Sequence, residues 1–181
     1  PPLLHAANSA AALLHPAARL DLVRCGLPVY GYPSSPALAG IGLTPALSWH
    51  ARVVAVHDLA PGERVGYGGT WEAARPSRVA TLSAGYADGY SRALSNRGQI
   101  LIGGRRAPVV GRVSMDFLTA DVTGVPGVVV GDTATLLGRQ GDGMIDAAEI
   151  AGWLGTIPWE VLCLIGRRVE RVYGGEVGGE R

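Results

Sequence analysis

The chain has 181 residues, enough for one good core or for a domain with part of another, and its 48% apolar share fits a folded globular protein. Sixteen cations against fifteen acids leave a formal charge of +1, with no basic run longer than the pairs Arg105/Arg106 and Arg167/Arg168, so a nucleic-acid partner is not indicated. The longest apolar runs, VVAV and GVVVG, are too short to span a bilayer and nothing marks a signal peptide, so a soluble cytoplasmic protein with no membrane partner is expected.

The first forty residues read as a short apolar strand, a helix opening near Asn8 or Ser9, and a second short strand from Asp21 to Arg24 that ends in Cys25 and Gly26. Strand, helix, strand is a unit of a parallel α/β architecture. PSSPALAGIG, with two prolines among small residues, then reads as a linker. From about Pro45 the pattern turns to alternation. LSWHARVVAVHDL, RVATLSAG, QILIGG, APVVGRV, FLTADV and TATLLG are six β-branched-rich segments separated by glycine- and proline-rich turns. They predict an antiparallel or mixed β domain of barrel type. GDGMIDAAEIAGWLG reads as helical, with Asp146 and Glu149 spaced as a capping pair. TIPWEVLCLIG follows as a second short helix with Thr156 at its start and Pro158 in its first turn, and RVERVY reads as a closing strand.

All sixteen cations are arginines, and the chain contains no lysine. Chemistry that needs a lysine Schiff base must therefore take its amine from another polypeptide segment. Cys25 and Cys163 lack any CxxC or His/Cys ligand spacing and read as reduced thiols, with no metal site. The chain starts at Pro1 rather than methionine, and so reads as a piece that begins inside a larger protein.

Two places draw chemical interest. Asn8 and Ser9 stand where a strand hands over to a helix, and Arg24, Gly26 and Leu27 end the next strand. Strand ends of this kind line the ligand face of parallel α/β folds, and glycine-rich turns there offer N–H groups to phosphate. Ordinary helix capping by Asn8 or Ser9 is the other reading. Arg24 is a positioned fork of donors that keeps its proton, or half of a structural ion pair. Farther on, Tyr67 and Tyr86 each follow a glycine at the edge of an expected strand. They are either aromatics capping a β core or phenols held out on a turn, where a suitably placed cation would let one accept a proton.

HAANS, VRCGLPVYG, VGYGGTW, SAGYADGYSR, APVVGRVSMD and GTIPWEVLC occur in an order and spacing that resemble the alanine racemase family, from about His5 to Tyr173. These are pyridoxal-phosphate enzymes that interconvert L- and D-alanine, the latter for peptidoglycan. The resemblance implies that residues 1–40 are the last strands of a (β/α)8 barrel that binds the cofactor, and that residues 45–175 are the family's C-terminal β domain. It implies that Ser9 binds the cofactor phosphate together with the backbone of Gly26 and Leu27. Arg24 then faces the pyridine nitrogen, with His5 supporting it from behind. Tyr67 matches the catalytic tyrosine, one of two acid/base groups flanking the substrate; the other is the lysine that this chain lacks.

Tyr86 matches a tyrosine of the narrow passage into the site, with Arg92 farther out, and Arg112 and Asp116 as neighbours of that corridor. Met115 matches a residue whose backbone N–H meets the substrate carboxylate. The family usually has tyrosine where this chain has Trp159, so the phosphate contact made by a phenol there is replaced by an indole donor of different reach. That departure puts serine or a broader range of small amino acids beside alanine as substrate. Family members are homodimers in which the β domain of one subunit closes the other's site, so Tyr67, Tyr86 and Met115 serve the partner's cofactor. The remaining alternative is a catalytically incomplete β domain that only dimerises.

Overall fold

The computed structural model of the protein describes residues 2–174; the expected domain limit at 175 lies outside them. The chain opens with β1 (His5–Asn8), α1 (Ser9–Leu14) and β2 (Leu22–Arg24). The two strands pair in parallel, His5 opposite Leu22 and Asn8 opposite Arg24. Asn8 caps α1 through its side chain, which accepts the Ala11 N–H at 3.0 Å. The helix stops at His15 because Pro16 follows. A one-turn helix, Leu27–Tyr30, then turns the chain back. The stretch read as a linker is anchored, for Leu38 is fully buried within it.

The β domain comprises β3 (Trp49–Leu59), β4 (Arg64–Val65), β5 (Trp71–Glu72), β6 (Ser77–Leu82), β7 (Gln99–Ile102), β8 (Arg105–Pro108), β9 (Leu118–Asp121), β10 (Thr133–Gln140) and β11 (Gly143–Ile145). Its main sheet is antiparallel, in the order β8-β7-β10-β3-β6-β9, with β11 added on β10. Val109, just past β8, bridges to Ala120 of β9, and Val110 N–H donates to Thr119 O at 2.8 Å. The first strand in that order thus meets the last, and the sheet curls into a ring. This is the expected antiparallel, barrel-like domain.

β7 and the middle of β10 bury successive residues rather than alternate ones. Strands covered on both faces lose their alternation, and the second cover here is α2 (Ala147–Leu154), whose Ala147, Ile150 and Ala151 join the same core as Leu101, Leu136 and Leu137. Asp146 caps α2, accepting the Glu149 N–H at 2.8 Å. The Glu149 carboxylate does not return to the cap but pairs with Arg106 of β8 at 2.6 Å, tying the helix to the sheet. α3 (Pro158–Leu164) follows with proline in its first turn.

Four expectations are corrected. GDGM is not helical, because Gly143–Ile145 forms β11 before Asp146 starts the helix. The strand expected across APVVGRV ends at Pro108, after which only Val109 bridges. RVERVY forms no strand; Val169 packs on the core and Arg171 caps the Ile165 carbonyl at 2.9 Å. Ile157, not Thr156, takes the α3 cap position, and the Thr156 hydroxyl bonds Glu160 instead. Among the described residues no helix is long and apolar enough to cross a membrane.

Leu136 is fully buried at the centre of β10. Leu136→Ala should cost about 2–5 kcal/mol in urea unfolding, the range for a core leucine whose cavity relaxes only in part.

Candidate active site

The ends of β1 and β2 bring the first group together. Parallel neighbours place their C-terminal ends side by side, so Ser9 meets Gly26 although seventeen residues separate them. Ser9 is buried, and its Oγ accepts the Gly26 N–H at 2.9 Å. Leu27 follows with its side chain locked in the β-domain core. No hydrogen bond among the described residues uses the Leu27 N–H. The Ser9 hydroxyl and the uncommitted Leu27 N–H at this corner, beside a glycine N–H already donated to Ser9, are groups that can donate to an anion. Across the same strand pair, Arg24 Nη1 donates to His5 Nδ1 at 2.7 Å. A guanidinium has no acceptor, so the imidazole proton sits on Nε2. His5 thereby fixes a permanent cation at the strand end.

The second group hangs from the β domain. Tyr67 opens a one-turn helix, Tyr67–Gly69, in the hairpin loop between β4 and β5. It is 75% exposed, so it is presented rather than used to cap the core. Its turn lies on the Gly111–Arg112 backbone: a Cβ added at Gly66 would sit 3.1 Å from Arg112 N, and one at Gly111 would sit 2.8 Å from Val65 O. Tyr86 and Met115 are joined through backbone. Tyr86 N–H donates to Ser114 O and Ala87 N–H to Met115 O, both at 3.0 Å. The two segments come this close because residue 85 is glycine; a Cβ there would lie 2.3 Å from Met115 O. Ser114 closes a tight turn on Phe117, holding Met115 and Asp116 at its tip. Met115 is half-exposed, not core filling, and no hydrogen bond among the described residues uses its N–H.

Sequence reasoning missed what braces this tip. Arg168 reaches Asp116 Oδ1 at 2.6 Å and Asp88 Oδ1 at 3.2 Å. The hydrogen bond it donates to Asp116, then the charge of Asp88, hold its guanidinium above its usual range. Asp88 is buried and spends its other oxygen on the Gly85 N–H at 2.9 Å. One arginine therefore links the Tyr86 loop to the Met115 turn. The doubled Arg167/Arg168, following a helix rather than lying in a strand, was the available signal. Arg92 starts a one-turn helix at the outer side of the Tyr86 segment, and its side chain is exposed.

Trp159 stands apart on the first turn of α3, 39% exposed. The other end of α3 touches the Tyr86 segment, where Gly166 N–H donates to Asp88 O at 2.8 Å. Among the described residues no hydrogen bond or ion pair joins the Ser9–Arg24 group to the Tyr67–Tyr86–Met115 group. A cavity of about 550 Å3 lies elsewhere, between β3, β10 and residues 168–170, and apart from the bracing Asp88 and Arg168 it takes none of these groups. His50 lines it, and burial pushes its imidazole pKa down. Among the described residues no cluster of His, Cys, Asp and Glu could hold a metal.

Residues 46–173 match the family described as "Alanine racemase, C-terminal domain". Alanine racemase of Symbiobacterium thermophilum is 51% identical over 177 residues, which cover 97% of this chain and 47% of that protein. The solved alanine racemase of Clostridium difficile 630 superposes with a TM-score of 0.87 at 36% identity, over 95% of this chain and 45% of that one. The alanine racemase from Bartonella henselae with covalently bound pyridoxal phosphate gives a TM-score of 0.83 at 33% identity, over 92% of this chain and 45% of that one. The chain spans about half the length of the curated relatives it matches and corresponds to their C-terminal part.

Gly85→Ala forces the Tyr86 loop away from Met115, so it should cost about 1–3 kcal/mol in urea unfolding. Hydrogen exchange should show the Tyr86 amide losing protection; unchanged protection would contradict the close approach.

Proposed function

The chain belongs to the alanine racemase family, and on that premise we propose that the protein is a pyridoxal-phosphate-dependent racemase interconverting L- and D-alanine, which feeds D-alanine to peptidoglycan. The observation that carries this reading is the corner formed by Ser9, Gly26 and Arg24. It sets donors suited to a phosphate a short way along the strand end from a fixed guanidinium. Pyridoxal phosphate, when bound, supplies the electron-withdrawing ring that makes the substrate Cα–H acidic.

Ser9 O–H and the N–H groups of Gly26 and Leu27 would hold the phosphate. Arg24, which keeps its own proton, would be the partner of the ring nitrogen and would leave it unprotonated, tempering the electron demand and discouraging side reactions. His5 keeps Arg24 in place. Trp159 forms an aromatic wall. Racemisation removes a proton on one face of Cα and delivers one on the other, so two acid/base groups are needed. Tyr67 Oη is one. The other is a lysine, and because these 181 residues contain none, it lies outside them. Met115 N–H receives the substrate carboxylate, while Tyr86, Arg92, Arg112 and Asp116 shape the corridor to the site.

The protein acts as a homodimer with each site shared. Residues 1–40 belong to the barrel that carries the cofactor, and the β domain from residue 45 closes the partner's site. The lack, among the described residues, of a hydrogen bond or ion pair between the two groups supports this division. Tyr67→Phe in the full-length dimer should lower racemisation by about 100-fold or more while the cofactor absorbance stays. Wild-type turnover in that variant would overturn the assignment.

A broader substrate range is favoured by one residue, Trp159, where the family has tyrosine. Turnover of L-serine relative to L-alanine should fall in Trp159→Tyr. Equal ratios in the two enzymes would leave alanine alone as the substrate.

A further inference from the structure

Tyr67 has little to hold it. Its side chain is 75% exposed, and its turn contains positive φ at Gly66, Gly68 and Gly69 (73°, 72° and 53°). Three such glycines make a pliable hinge, so the phenol takes its direction from whatever ties down the backbone on either side. The close approach of Gly66 and Gly111 holds the start of the turn. Its end, at Thr70, is held by a side chain from elsewhere.

That side chain is Asn96. Its Nδ2 donates to Thr70 Oγ1 at 3.1 Å, and its Oδ1 accepts the Gly111 N–H at 2.6 Å. Thr70 closes the Tyr67 turn, and Gly111 begins the segment that runs to Met115. Beside it, Ser95 Oγ accepts the Val113 N–H at 3.0 Å and donates to Arg92 O at 2.6 Å, so the same short loop grips the Met115 segment twice. Asn96 is also one of two non-glycine residues among those described with positive φ, at 57°. That conformation is costly for an L-residue, and least so for asparagine. Here it is held by bonds from both ends of one amide.

We propose that Asn96 is a positioning residue for Tyr67. Its amide sets the spacing between the Tyr67 turn and the Met115 backbone, so the phenol and the N–H that receives the substrate carboxylate are carried as one body. The inference rests on the racemase reading, in which those two groups meet the same substrate. A carboxylate held on one of them places Cα in front of the other, and an error of about 1 Å there can lower turnover 100-fold.

Asn96→Ala and Thr70→Val, made separately in the full-length holoenzyme, test this. Thr70→Val removes one bond of the bridge and leaves residue 96 intact, so it stands even if Asn96→Ala folds poorly. Both should lower kcat for alanine by about tenfold or more, with KM within about threefold and the cofactor spectrum unchanged. Tyr67 serves one face of Cα, so the Cα-deuterium isotope effect should rise for one enantiomer of alanine and not for the other. In a Tyr67→Phe background, neither change should lower the residual turnover further. Wild-type kcat in both variants, isotope effects that rise equally for both enantiomers, or full additivity with Tyr67→Phe would overturn the inference. A wild-type protein that does not racemise alanine would overturn the racemase reading itself.

Discussion

Backbone meets backbone, with no room for a side chain between, at the two places where the β domain mounts its candidate chemistry. At one, Gly85 lies against the Ser114 and Met115 carbonyls; at the other, Gly111 lies against Val65. Tyr86 and Met115 depend on the first contact, Tyr67 and Arg112 on the second. The first contact continues the β6–β9 register beyond Leu82 and Leu118; the second follows closure of the ring, where Val109 bridges to Ala120 before the chain leaves the sheet at Gly111. Exposed groups on short turns are thus aimed by a buried scaffold. Loops that carry function on a rigid support follow this pattern in general, and here the support reaches to within one or two residues of each functional group.

Much of this was legible in the sequence. The β-branched runs of β3, β6 and β10 and the Asp146 cap were readable because each is a local pattern of propensity or spacing. Ser9 and Gly26 were readable as neighbours because parallel strands must end side by side. Other features depended on partners far along the chain. Asn96 and Arg168 reach across 26 and 52 residues, and apart from the doubled arginine at 167 and 168 nothing in their own surroundings announces it. β4 and β5 have two residues each, too few to show a period, and the three residues of β11 were absorbed into the helix that Asp146 starts. APVVGRV kept a strand pattern past Pro108 because alternation reports a residue's preference, not where its partner strand runs out. The separate roles of Tyr67 and Tyr86 came from the motifs around them; two exposed phenols on glycine turns are chemically alike.

The two groups have opposite characters. Ser9, Gly26 and Arg24 sit on parallel strands and suit an anion and an aromatic nitrogen. Tyr67 and Met115 sit on the antiparallel domain and suit a proton transfer and a carboxylate. Among the described residues no hydrogen bond or ion pair joins them. Under the shared-site proposal each group is half of a site, and a tyrosine three-quarters exposed on a folded β domain is what that division predicts.

Subunit mixing tests that division most directly. Full-length protein carrying Arg24→Ala is combined with full-length protein carrying Tyr67→Phe, and mixed dimers are isolated by distinct affinity tags. If sites are shared across the dimer, each mixed dimer holds one intact site, and racemase activity should recover to about half the wild-type value. Mixed dimers no more active than either parent variant would contradict the account.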